Sequence, residues 1–350
     1  MSFCIPVYNN AEAALELVKC LLVSERQDFE VIVSDDASSD NTQELLTQIK
    51  DSRFRYYRND KNLGVHKNWL RTLELGRGEW LYLSMGRDRL HGECIGSLIE
   101  ILERSGEENI TYFKDGCRKP RIYSGINAMT SFIQLCHPTG DIFNAELFRK
   151  IPDDKRRRYF EISDMYPENY IRHDLLLAGR GAYIMSGVYQ WEVLIDKVKV
   201  KSTVEHDIKN IYETYYAPSR RIKQNFEIID MIAKDLSGVF NEKEINKIFN
   251  FRFYSIIYSV SLGWRDFCKD KNWQAHYGQE IRHVTRIEML RNILSSYRVT
   301  MAYLKSQGLY SLSRELIMQR CILAVLTLPF RTGAKTLWRR ITAKFKYVML

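Results

Sequence analysis

The chain has 350 residues, 45% hydrophobic and 27% charged, with 52 Lys and Arg against 43 Asp and Glu for a net charge of +9. That apolar fraction excludes a globally disordered or low-complexity protein, and the length allows two domains, or one large one with an appendage, without covalent staples. The seven cysteines, at 4, 20, 94, 117, 136, 268 and 321, are scattered with no C-x-x-C pair, which argues against a disulfide framework or zinc knuckle and for a reducing, cytosolic compartment.

The opening Met1-Ser2-Phe3-Cys4-Ile5-Pro6 has no basic region and runs straight into a strand-like stretch, so no signal peptide is expected. Residues 3–7 read as a strand and 11–22 as a helix with apolar residues at helical spacing. Residues 29–33 are β-rich, 42–49 helical, 54–58 strand-like, 69–75 helical, 80–84 a strand and 95–103 a helix. Strands alternating with helices imply βαβ units and a mostly parallel sheet. Ligands of such sheets sit beyond the carboxyl ends of the strands, so the polar residues just after each strand carry the chemistry. Residues 116–200 are less regular, with loop signals at Lys119-Pro120 and His137-Pro138-Thr139-Gly140. From 204 onward the pattern is helical, over 210–216, 219–236, 242–263 and 280–307. There is no internal repeat, no P-loop and no dinucleotide glycine fingerprint. The reading is α/β first, mixed next and all-α last.

Four post-strand segments stand out. They are Ile5-Pro6-Val7-Tyr8-Asn9-Asn10, Ser34-Asp35-Asp36-Ala37-Ser38-Ser39-Asp40-Asn41-Thr42, Asn62-Leu63-Gly64-Val65-His66-Lys67-Asn68-Trp69, and Ser84-Met85-Gly86-Arg87-Asp88-Arg89-Leu90. Tyr8 offers a flat face to a base. The Asp35 loop suits hydrogen bonding to a nucleoside, and equally suits a helix cap and turn. In order and spacing these segments, over residues 3 to about 115, resemble the nucleotide-sugar half of family 2 glycosyltransferases, which have the GT-A fold.

That resemblance implies donor contacts for Pro6, Tyr8, Asn9, Asp35, Asp36 and Asn68. Tyr8 would stack on the base, and Asp36 would hydrogen-bond it, typically as uracil. Asp35 and Ser38 sit beside it and can act simply to shape the loop. Asn68 borders the nucleotide or caps a helix. Family members usually carry an acidic cluster in the fourth segment that holds Mg²⁺ or Mn²⁺ on the diphosphate. Here the triplet is Gly86-Arg87-Asp88, so only the last acid remains. The implied metal ligand is Asp88, sharing the ion with phosphate oxygens and water and assisted by Arg87, which can pair directly with phosphate; a metal-free mechanism is the alternative.

An inverting transfer also needs a general base for the acceptor hydroxyl. The stretch from Asp164 to Leu175 offers Glu168 and Asp174, with Asp174 slightly preferred; an acid at a helix start can also serve the helix dipole alone. His137 or Thr139 could touch sugar or acceptor, although a histidine beside proline is more often structural.

After Glu315 there is no acidic residue, and Arg320, Arg331, Lys335, Arg339, Arg340, Lys344 and Lys346 carry +7, which leaves +2 for residues 1–315. The uncharged run 321–330 is shorter than the ~20 residues that span a bilayer. Beyond it, Leu337, Trp338, Ile341, Phe345 and Val348 recur at helical spacing among the basic residues, as in a helix lying in a membrane interface; a core helix with a solvated basic face gives the same pattern. The body has no basic stripe, which sets nucleic-acid binding aside.

Four regions are expected: 1–115 the donor half and 116–203 the acceptor half of a GT-A domain, 204–315 a helical region, and 316–350 a basic membrane-associating tail. The function implied is inverting transfer from a UDP-type sugar to a hydroxyl of a lipid-linked or growing glycan in surface polysaccharide synthesis. The setting is the cytoplasmic face of the membrane, with peripheral attachment. A non-catalytic sugar-nucleotide-binding or scaffold protein of the same fold is the alternative, motivated by the missing acids at Gly86-Arg87.

Overall fold

The computed structural model describes residues 1–86, 88–90, 92, 95–105, 109–113, 121–123, 126, 129, 140–162, 167–178, 181–185, 189–190, 235–236, 238–248, 286–306, 308, 310–313, 315–316 and 318–319. The chain divides into two units, Met1–Val204 and Glu205–Leu350.

The first unit begins with β1 (Ser2–Val7), α1 (Ala11–Leu22) and β2 (Glu30–Asp35). α2 (Thr42–Leu46), β3 (Phe54–Arg58), α3 (Val65–Leu75) and β4 (Trp80–Leu83) follow. Next come β5 (Arg89–Leu90), α4 (Ile95–Ser105), β6 (Asn109–Phe113) and β7 (Arg121–Tyr123). β8 (Asp141–Asn144), α5 (Ala145–Lys150), α6 (Asp153–Ile162), α7 (Glu168–Ala178), β9 (Gly181–Met185) and β10 (Tyr189–Gln190) complete the elements described there. In the second unit α8 (Arg286–Ser306) lies within the 280–307 stretch read as helical.

Eight strands form one sheet in the order β3-β2-β1-β4-β8-β6-β9-β7. β1 pairs in parallel with both β2 and β4, and β2 with β3. β8 runs antiparallel to β4 and β6, and β7 antiparallel to β9, while β6 and β9 are parallel. The sheet is therefore mostly parallel, with two reversed strands. β5 and β10 form a separate antiparallel pair.

Every residue of β1 is buried, as a strand covered on both faces requires. Phe3 meets Phe29 edge-on at 5.6 Å and Tyr82 at 5.2 Å, which ties β1 to its neighbours. α1 sets Ala14, Leu17, Val18 and Leu21 into the same core, at the i, i+3, i+4, i+7 spacing of one helical face.

Three helices of the first unit differ from the sequence pattern at their starts or ends, α4 by running on to Ser105, past residue 103. α2 stops at Leu46, short of residue 49. α3 starts at Val65, four residues ahead of the apolar run, because Gly64 supplies the opening turn: its φ of 86° lies where side-chain-bearing residues are strained. In the second unit, Tyr297 and Tyr310 both donate to the Glu315 carboxylate, at 2.9 and 2.5 Å.

Candidate active site

Because β8 runs against β4, its first residue lies at the carboxyl end of the parallel strands. The register puts Asp141 opposite Leu83, the last residue of β4, and the Gly140 N–H donates to the Leu83 carbonyl at 3.1 Å. The ends of β1, β2 and β4 and the start of β8 thus open on one edge of the sheet, where α/β folds bind ligands.

Pro6 is buried in β1, one residue before its end, and Tyr8 leaves the strand as its exposed aromatic neighbour, at 37% exposure. Asn9 takes a left-handed φ of 46°, a conformation asparagine tolerates. Its N–H donates to Ser38 Oγ at 2.9 Å, and its Oδ1 accepts from the Ser39 N–H at 2.7 Å. Asn9 therefore clamps the first loop to the second.

The two carboxylates after β2 have different jobs. Asp35 is fully buried; Oδ1 accepts the Ser38 N–H at 2.9 Å, and Oδ2 accepts the Tyr56 hydroxyl and Arg58 Nη1, both at 2.5 Å. Burial, and then this carboxylate, raise the Tyr56 hydroxyl above its ordinary value. Asp35 fixes the turn from inside. Asp36 turns the other way, accepting Asn59 Nδ2 and the Leu63 N–H on Oδ1, each at 2.8 Å, and the Gly64 N–H on Oδ2 at 3.0 Å. It holds the turn that opens α3, an anion on backbone donors at a helix start.

Asn68 is buried within the first turn of α3 rather than capping it. Its Oδ1 accepts from Ser34 Oγ at 2.7 Å and Asn59 Nδ2 at 3.1 Å, and its Nδ2 donates to the Ser34 carbonyl at 2.8 Å. A weaker bond of 3.5 Å reaches the Val7 carbonyl. Ser34, Asp36, Asn59 and Asn68 thus form one buried polar network behind the loops. Sequence reading passed over Asn59 and Ser34, neither of which has a local signature.

At the end of β4, Asp88 is buried and its N–H donates to the Met85 carbonyl at 3.0 Å. Arg87 lies outside the described residues, as do His137 and Thr139. Gly86 packs against β1: a Cβ there would stand 3.2 Å from Val7 Cγ2 and 3.7 Å from the Pro6 carbonyl oxygen. A side chain at 86 would need the Val7 methyl to give by a few tenths of an ångström. Among the described residues no three His, Cys, Asp or Glu side chains converge as a metal cage. A single carboxylate, Asp88, would leave the rest of a divalent ion's shell to phosphate and water.

On α7 the two acids separate. Asp174 is held on both oxygens, Oδ1 by Lys155 Nζ at 2.9 Å and Oδ2 by the Tyr159 hydroxyl at 2.6 Å. Lys155 and Tyr159 both belong to α6, so Asp174 fastens two helices together. Glu168 is fully buried in the first turn, and neither carboxylate oxygen has a hydrogen-bond partner. Burial pushes its carboxyl up to about 8, with Arg172 opposing, Asp141 adding and the residue's own backbone N–H opposing least. Arg172, one turn along the same helix, forms a bidentate pair with Asp141. The i, i+4 spacing of Glu168 and Arg172 was visible in the sequence, whereas the pairing of Arg172 with Asp141 was not.

Residues 2–132 match the profile of the family described as "Glycosyl transferase family 2". The abequosyltransferase RfbV of Salmonella typhimurium is 30% identical over 112 residues, 31% of this chain and 34% of that protein. The succinoglycan biosynthesis protein ExoO of Rhizobium meliloti is 27% identical over 108 residues, 31% of each. The chain thus spans about a third of the length of these two curated relatives. Among solved structures, S. aureus TarS 1-349 superposes with a TM-score of 0.55 at 16% identity, over 93% of this chain and 89% of that one. The same protein solved with UDP-GlcNAc gives 0.54. A mostly parallel sheet flanked by helices and these neighbours agree on a GT-A fold, and residues 2–132 of it are similar to family 2 glycosyltransferases.

Proposed function

We propose that the protein is an inverting glycosyltransferase that moves a sugar from a uridine diphosphate donor to a hydroxyl of a lipid-linked or growing glycan in surface polysaccharide synthesis. The observation that carries this reading is the match of residues 2–132 to family 2 glycosyltransferases, together with the β1, β2 and β4 ends that bring Tyr8, the Asp36 network and Asp88 to one sheet edge. The names of RfbV and ExoO support the glycan setting, and the TarS complex with UDP-GlcNAc supports the donor class.

In this reading Tyr8 stacks on the base. Asn9, Asp35, Asp36 and Asn68 hold the two nucleotide loops in place, each through the bonds described above. Asp36 can serve the base directly only with the lone pair left on Oδ2 after Gly64 has bound. A divalent ion, Mg²⁺ or Mn²⁺, would be held by Asp88 and the diphosphate, with Arg87 assisting; when bound it would neutralise charge on the leaving group. Excess EDTA should then suppress turnover.

Glu168 is the better base of the two acids. Asp174 already spends both oxygens on Lys155 and Tyr159. The buried Glu168 oxygens lack a donor, a deficit that an acceptor hydroxyl would fill. The ionised carboxylate takes the hydroxyl proton, the acceptor oxygen bonds to the anomeric carbon, and the sugar–phosphate C–O bond breaks with its electron pair leaving on the diphosphate. A group with a value near working pH suits this role.

No helix among the described residues is long and apolar enough to cross a membrane. The basic residues from Arg320 onward lie outside the described residues; peripheral attachment at the cytoplasmic membrane face rests on their sequence alone. Co-sedimentation with anionic vesicles, lost on truncation after Glu315, tests it. The donor reading is tested by a thermal-shift screen of UDP, GDP and UDP-sugars with and without Mn²⁺. Stabilisation by UDP species above GDP is the expected outcome, and indifference to every nucleotide sinks the reading.

A further inference from the structure

Asp141, Arg172 and Glu168 form a cluster of three buried charges at the sheet edge that carries the donor loops. Asp141 arrives through the β4–β8 register, and the other two arrive on the first turns of α7. Arg172 Nε donates to Asp141 Oδ1 at 3.0 Å and Nη2 donates to Oδ2, the fork geometry that fixes a guanidinium in plane. The same Nη2 stands 4.0 Å from Glu168 Oε1, near enough to pair by charge and too far for a hydrogen bond. Among the described residues, one buried cation therefore faces two buried carboxylates. Two buried anions on one cation leave a negative charge uncompensated, so one acid keeps its proton. Asp141 owns the fork. Glu168, with the long contact and no hydrogen bond, is the one that keeps it.

We propose that Arg172 and Asp141 are positioning residues that act through Glu168: clamped by Asp141, the guanidinium holds the Glu168 carboxyl at the donor edge of the sheet and governs when it can accept a proton from the acceptor hydroxyl. This rests on the reading of Glu168 as the base. Among the described residues, the charged groups facing Glu168 are Arg172 from its own helix and Asp141 from β8. Each substitution therefore has a signed effect. Asp141→Asn removes the like charge and frees Arg172 for Glu168, so Glu168 ionises at lower pH. Arg172→Gln removes the attraction, so Glu168 ionises at higher pH. Arg172→Lys keeps the charge without the fork and falls nearer to the wild type.

The test follows the side-chain carboxyl of Glu168 by NMR of ¹³C-glutamate-labelled protein, assigned by its loss in Glu168→Gln, with UDP binding measured on the same samples. The expected result is a midpoint lowered by Asp141→Asn by about tenfold in proton affinity, and raised by Arg172→Gln. If Arg172→Gln does not fold, Asp141→Asn decides alone. A midpoint that Asp141→Asn does not lower, in protein that binds UDP, overturns the positioning role. Midpoints that move as stated in protein that takes up no UDP overturn the glycosyltransferase reading instead. With a donor found in the nucleotide screen, the rising limb of log kcat/KM against pH must shift with the midpoint; a limb that stays put also overturns the role.

Discussion

Substituting Glu168 by glutamine removes one ionisation and leaves the shape of the side chain unchanged. In the folded protein this carboxyl titrates at about 8 against an ordinary 4.5, because burial penalises its anion. A group whose folded value is raised stabilises the protein fully below its unfolded value, and that contribution is lost as pH climbs through the folded value. Asp141, also raised by burial, to about 6, covers the lower part of the window. Between the two values, from about pH 6 to about pH 8, Glu168 is the raised carboxyl that still holds its proton. Two units at about 1.36 kcal/mol each give a loss of about 3 kcal/mol across that interval. At about 2–4 °C per kcal/mol for a unit of this size, the melting temperature should fall by roughly 6–12 °C. Glu168→Gln should match the wild type only below about pH 4.5, and its lead should grow by that amount between about pH 6 and about pH 8. Urea or thermal unfolding of both proteins across the interval gives the answer. Parallel curves, or a wild type that gains on the variant as pH rises, would refute the assignment of a buried, protonated Glu168.

Asp36→Asn should cost about 1–3 kcal/mol, because its new NH₂ must face the Gly64 N–H or the Asn59 and Leu63 donors; an unchanged urea midpoint would remove the network from the account. Asp174→Asn should lower stability by a similar amount through Lys155 and Tyr159 while leaving the pH dependence of kcat/KM in place, whereas Glu168→Gln should abolish turnover. If the Asp174 variant instead loses turnover with its stability intact, the base belongs there. Tyr8→Ala should weaken UDP binding by about two- to tenfold, the worth of one aromatic stack, without altering the melting temperature of the free protein. Phe3→Ala, by contrast, should destabilise by about 3–5 kcal/mol, since the ring joins β1 to Phe29 and Tyr82; a melting temperature close to wild type would contradict that packing.

The sequence by itself determined the class of fold and where to look. Alternating apolar periods set the strands and helices of residues 1–105, and the polar run after each strand marked the loops that reach the sheet edge. These signals are local, carried by residues within one or two turns of one another, and so they survive in the linear order. What each polar side chain does was decided by tertiary structure. Asp35 and Asp36 are adjacent in sequence, yet one grips β3 and the other the opening of α3. Asn68 reaches back 34 residues to Ser34 and 61 to Val7, and Arg172 reaches 31 to Asp141. Those partners are fixed by strand register and by the reversal of β8, which no local pattern encodes. Burial then divides acids that look alike in the sequence: Asp174 is tied to Lys155 and Tyr159, while Glu168, without a hydrogen bond, holds its proton into the neutral range.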